Sequence, residues 1–326
     1  MLPDEKNIHF ITDAYEDNSF KCSERLRRST SPSKPLLLRG ASTKVPKNNE
    51  WKSFLLDISN KRNRITFLLT SWEEDSYAPL FGNRDIYFVC EDHCTLLRTP
   101  DGLTVESQLQ SFLSSSQEEA DGKIILHCFF AAQTSDELLV RSPDTDVFLL
   151  LLHFAEQIKK QLHFETGYGQ QHKIIDMTTL SDVHKLESDA ILGLHVFTGC
   201  DTTSAFLKRG KMKPLKLMRK NPSFREAFQT LDTKITVDPE VLTELEKCVC
   251  AMYSKHNYTD VNKLRCDMVN QRFSSGSSHL VSNFDSVDLS LIPSCRTVLK
   301  NAYKKSQLPG SFMEKVFRAK PKSTTP

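Results

Sequence analysis

Between Gln117 and Asp201 the chain alternates apolar segments of helical length with apolar segments of strand length, and carboxylates stand where those segments begin or end. Residues 118–132 read as a helix that opens with its acids in the first turn, where the helix dipole favours them. Residues 138–142 read as a strand, 147–160 as a helix and 173–177 as a second strand. Residues 181–186 and 190–197 read as short helices leading into Gly199-Cys200-Asp201. Alternation of this kind predicts an α/β sandwich built on a largely parallel sheet.

Upstream, residues 7–12 read as a short buried strand with Asp13 at its carboxyl end, and residues 21–28 as a basic, helix-compatible stretch. The Ser-, Pro- and Lys-rich run 29–49 reads as an exposed loop. Trp51, Phe54, Leu55 and Ile58 fall at helical spacing, which resumes at Ile65, Leu68 and Leu69, so a long helix or a helix pair is expected. Residues 85–90 and 95–98 look like strands. Beyond about residue 210 the strands stop, and 222–231, 239–253 and 261–273 read as helices. The expected organisation is an α/β domain over 1–210, a helical extension over 211–275, and a C-terminal helix with a disordered basic tail over 276–326.

A 39% apolar and 26% charged composition describes a soluble globular protein. No apolar segment follows a basic start at Met1, so no signal peptide is read. The most hydrophobic run, 147–154, is too short to cross a bilayer and is interrupted by His153. Nine cysteines, an odd number scattered without a framework, favour a reducing compartment, nucleus or cytoplasm. The net charge of +2 excludes nothing, but basic residues cluster at 21–28, 208–220 and 300–322, patches that can track a phosphate backbone.

In open α/β sheets, ligands bind beyond the carboxyl ends of the strands. Asp13 ends one predicted strand, Asp144 and Asp146 follow another, Glu119 and Asp121 open a helix, and Asp201 sits in a turn beyond the next helices. Carboxylates converging there repel unless a cation neutralises them. Hard oxygen donors without a His or Cys partner suit Mg2+ or Mn2+. In a two-metal site the ions stand roughly 4 Å apart, one activating water and one stabilising the leaving oxygen. Taken singly, each acid has a plainer reading: Asp144 and Asp146 as helix caps, Glu118 and Glu119 as first-turn charge, Asp201 as a turn organiser. The joint arrangement points to metal.

Glu119-Ala120-Asp121, Ser142-Pro143-Asp144-Thr145-Asp146 and Gly199-Cys200-Asp201 resemble, in order and spacing, the acidic series of PIN-like nucleases, the flap endonuclease and 5′ to 3′ exoribonuclease branch in particular. The longer phrases 118–121, 141–147 and 194–206 are similar to a large family of animal proteins found near mobile elements. Asp13-Ala14-Tyr15 followed by Lys21, Arg25 and Arg28 is similar to the branch's strand Asp and basic helix. The resemblance implies a three-layer PIN-like (Rossmann-like) α/β fold with a mostly parallel sheet, lacking its first strand, and a helical C-terminal extension. It implies Asp13, Glu119, Asp121, Asp144, Asp146 and Asp201 as acids holding two Mg2+ or Mn2+ ions, with Asp13, Lys21, Arg25 and Arg28 acting at the scissile phosphate. Lys208-Arg209-Gly210-Lys211 resembles a degraded helix-turn-helix that grips nucleic-acid backbone. The implied activity is hydrolysis of DNA or RNA phosphodiesters, with no organic cofactor and no membrane. The alternative is a catalytically inactive descendant serving as a nucleic-acid or protein interaction module.

Other candidates weigh less. Cys90, His93 and Cys94 lack a second half at zinc spacing. His127-Cys128 reads as a packed core pair and Cys248 and Cys250 as structural. His195 reads as a core histidine or one that supports a ligand, and Gly167-Tyr168-Gly169 as a hairpin-like turn.

Overall fold

The expected strand–helix alternation is present in the computed structural model, which describes residues 6–15, 36–38, 46, 49–200, 206, 208–231, 238–274 and 291–306. The chain divides into two compact units, one within residues 1–135 and one within 136–317.

In the first unit, β1 (Asn7–Phe10), β2 (Asp85–Cys90), β3 (His93–Arg98) and β4 (Glu106–Leu109) form a sheet in that order. β1 pairs with β2 in parallel; β2–β3 and β3–β4 are antiparallel. Between β1 and β2 lie α1 (Asn49–Leu56), α2 (Ile58–Trp72), a single 3-10 turn at Asp75–Tyr77 and the short α3 (Ala78–Phe81). The helix pair expected from the 51–69 periodicity therefore breaks at Asp57, which caps α2 by accepting from the Asn60 N–H. Asn60 is fully buried; its amide donates to the Phe54 carbonyl and accepts from the Leu36 N–H, pinning the α1–α2 corner.

β2 is buried on both faces, as a strand between two helical layers must be. Ile86 and Leu97 pack with Leu69 and Trp72 of α2. Tyr87, Val89, Cys94 and Leu96 pack on the other side with Leu126 and Phe130 of α4 (Ala120–Ala131).

In the second unit, β5 (Glu137–Arg141), β6 (Gln161–Thr166) and β7 (Lys173–Asp176) form a separate sheet, β5–β6 parallel and β6–β7 antiparallel. The parallel pair is joined through α5 (Thr145–Ile158), whose Val147, Leu150, Leu151, Phe154 and Ala155 are buried. α5 stops at Lys159 in the left-handed conformation. α6 (Met177–Val183) and α7 (Lys185–Thr198) follow, then α8 (Met212–Lys220), α9 (Pro222–Thr230), α10 (Pro239–Tyr253), α11 (Val261–Ser274) and α12 (Arg296–Ser306). Ala190, Leu194 and Phe197 of α7 share one core with Met218, Phe228, Leu245, Val249, Leu264 and Tyr303. Glu246, 2% exposed, ties three of these helices: it accepts from Val261 N–H at the start of α11 and meets Arg296 of α12 at 3.0 Å.

One expectation changes. Of the five described pairings, two are parallel and three antiparallel, so the sheets are mixed rather than mostly parallel. The reason lies in the connections: β2–β3 turns through Glu91-Asp92 and β6–β7 through 167–172, too short for a crossover. The Gly167-Tyr168-Gly169 turn is that second hairpin. β6, which the sequence reading passed over, supplies the strand between the two edges. The expected helix at 21–28 and tail after 317 lie outside the described residues.

Candidate functional site

The first unit gathers polar groups beyond the carboxyl ends of β1 and β2. Asp13 accepts a hydrogen bond from the Ala120 N–H at 2.9 Å, and Ala14 N–H donates to the Glu118 carbonyl. The structure thus brings Asp13 to the start of the helix that carries Asp121, with Glu119 just before it. Glu119 is the N-cap residue of α4 without a side-chain cap of its own, and the Asp13 oxygen takes the capping role. Beneath it, Lys123 is 1% exposed, and its Nζ donates to the Glu91 carbonyl at 2.5 Å and the Thr12 carbonyl at 3.4 Å. Burial pushes the Lys123 ammonium below the ordinary lysine range, against the negative charge of Asp13, Glu91 and Asp92, which raises it. Glu91 also receives the Tyr15 N–H and pairs with Arg62 at 3.1 Å.

Lys123, Glu91 and Arg62 were not singled out from sequence. A cue existed for Lys123: it shares the helical stripe of His127 and Phe130, the stripe that faces the sheet. His127 is itself buried against His9, Nδ1 to Nδ1 at 2.7 Å, and His9 stacks on Tyr87. Burial lowers both histidines, His9 to about 4 and His127 to about 3. Cys128, buried beside them, is pushed up to about 12, a core thiol as expected. Cys248 and Cys250 are likewise buried thiols of the helical core.

In the second unit the candidate acids stand just beyond β5. Ser142 Oγ accepts from the Asp144 N–H at 3.1 Å, and Asp144 caps α5 by accepting from the Asp146 N–H at 2.8 Å. Two carboxylates in the first turn suit the positive end of the helix dipole, each by about 0.3–1 kcal/mol. Asp146 then meets the last turn of α7: His195 Nε2 lies 3.1 Å from Asp146 Oδ1, within ion-pair reach but off the ideal hydrogen-bonding direction. The His195 side chain is 8% exposed. On its other side, Lys211 Nζ is 2.5 Å from His195 Nδ1 and donates to the carbonyls of Gly199 at 2.6 Å and His195 at 3.2 Å.

That placement separates the basic residues of the 208–211 turn. Lys208 is exposed at positive φ, and Gly210 is exposed at φ 49. Arg209 lies over the Tyr253 ring at 4.2 Å. Lys211 instead points its ammonium at the end of α7. Lys21, Arg25, Arg28 and Asp201 lie outside the described residues. Among the described residues, no group of three or more His, Cys, Asp or Glu side chains is placed to hold a metal ion. No helix among them is long and apolar enough to cross a membrane.

Known protein families, curated proteins and solved structures give no match to this chain.

Proposed function

We propose that this chain is a nuclease-like protein that hydrolyses nucleic-acid phosphodiesters with Mg2+ or Mn2+ held by carboxylates. The observation that carries the reading is the pair Asp144 and Asp146, two residues apart at the start of α5 beyond the carboxyl end of β5, with Asp146 backed by a buried imidazole. The donors fit the ion: carboxylate oxygens are hard ligands, and an outer-lying His–carboxylate contact is what such a ligand receives. The resemblance adds Asp201 to the set, a residue outside the described ones. A bound ion of this kind supplies an activated water and Lewis acidity toward the phosphoryl oxygens.

The chain's own groups do the rest. Ser142 and the first turn of α5 fix the direction of Asp144, and His195 fixes that of Asp146. Lys208, Arg209 and the exposed Lys216 and Lys220 of α8 form a cationic surface suited to phosphate contact without base reading. Asp13, Glu119 and Asp121, grouped with these acids by the resemblance, are to be tested one at a time.

A second reading, an interaction module without catalysis, is favoured by one observation: Asp13 and Asp144 each commit a carboxylate oxygen to a helix start. Cleavage of labelled single-stranded, flap and duplex substrates with Mg2+ or Mn2+ decides between them. The nuclease reading expects Asp144→Asn/Asp146→Asn to lower the rate by at least about 100-fold, since outer partners of metal ligands alone account for about 10–100-fold. A folded wild type that binds these substrates without cutting them supports the module.

A further inference from the structure

Lys211 was grouped with the phosphate-contacting turn, yet its ammonium is committed elsewhere. We propose that Lys211 and His195 are positioning residues for the Asp146 carboxylate, forming a directed chain from the turn after α7 to the start of α5. This rests on the proposed function for its catalytic meaning and on the geometry alone for its existence.

The chain follows from donor and acceptor inventory. A lysine ammonium has three N–H donors and no acceptor. Lys211 has the Gly199 carbonyl, the His195 carbonyl and His195 Nδ1 within reach, at 2.6, 3.2 and 2.5 Å. Nδ1 must therefore present its lone pair, which leaves the imidazole neutral with its proton on Nε2. That nitrogen is buried 3.1 Å from Asp146 Oδ1, off the hydrogen-bonding direction as the two side chains stand. A positive charge at the carboxyl end of α7 is stabilised by the carbonyls gathered there. The imidazole relays orientation rather than net charge: it holds one N–H beside Asp146 in a buried setting. Outer partners of this kind set the direction and basicity of a ligand carboxylate.

A glutamine at 195 can accept from Lys211 and donate to Asp146, whereas a leucine can do neither. The experiment has two readouts on the full chain. Nitrogen-15 spectra of the histidine side chains, taken where imidazole is neutral, should show His195 as a single Nε2–H tautomer. Lys211→Met should release it to a mixture, and Asp146→Asn should shift its Nε2–H resonance. Mn2+ titration followed by electron paramagnetic resonance should show affinity lowered about 10–100-fold in His195→Leu. Lys211→Met should lower it in the same direction, and His195→Gln should restore it to near wild type.

A wild type with both tautomers populated, or with His195 indifferent to Asp146→Asn, overturns the proposal. So does a His195→Leu variant that melts lower but binds Mn2+ as wild type does, because the histidine is then merely structural. A wild type with the locked tautomer that binds no Mn2+ leaves the positioning chain standing and removes the nuclease reading instead.

Discussion

Asp146 and His195 are 49 positions apart, and nothing local in either segment announces the other. Glu119, Asp121, Asp144 and Asp146 were legible because each sits at a helix start, which leaves a signature in sequence. Their partners were not, because a side chain that meets another element carries no periodicity of its own. His195, read as a core histidine or one that supports a ligand, is buried. His9 and His127 show the same limit: the sequence marked His127 as core but gave no sign of His9 against it. Their pairing makes a pH prediction. Both are held neutral when folded, with values near 4 and 3, whereas an unfolded histidine titrates near 6.5. Below about 6.5 the unfolded chain binds the extra protons, so stability is full above that pH and falls as pH drops toward 4. The limiting slope is about 1.4 kcal/mol per pH unit per histidine. Denaturant unfolding across this range should show the decline, and His9→Phe/His127→Phe should flatten it.

At the scale of elements, buried apolar periodicity served well and backbone-only features did not. α4, α5, β5, β7, α9, α10 and α11 fall within a few residues of their expected spans, and all but the largely exposed β7 carry a stripe or an alternation that a core demands. β4 is exposed at all four positions and is held by polar contacts, its pairing with β3 and the Ser107 hydroxyl donating to Glu73, so no hydrophobic pattern could reveal it. β6 did carry a period-two cue in Leu162 and Phe164, both buried, and was passed over beside the stronger helical signal of α5. α8 was passed over because its lysines stand out as a basic cluster, while only Pro214 and Met218 are buried beneath them. Helix packing in the second unit hinges on Gly193 of α7, where a Cβ would stand 2.1 Å from the Phe228 carbonyl of α9. Since backbone rather than a flexible side chain occupies that space, Gly193→Ala should cost about 1–3 kcal/mol by overpacking. A lower denaturation midpoint with unchanged denaturant sensitivity would show it; wild-type stability would mean that α7 and α9 part at no cost.

For the molecule as a whole, the α/β class was legible from alternation, while the pairing sense of the strands depended on connection lengths that blur in sequence. The proposed function rests on fewer residues: Asp144 and Asp146 at the start of α5, proposed as the seat of a divalent ion. Anomalous diffraction from crystals soaked in Mn2+ tests this directly. We expect a peak within coordination distance of Asp144 and Asp146, lost in Asp144→Asn/Asp146→Asn crystals. An ordered α5 start with no peak beside these carboxylates, under Mn2+ concentrations that saturate ordinary carboxylate sites, would contradict it.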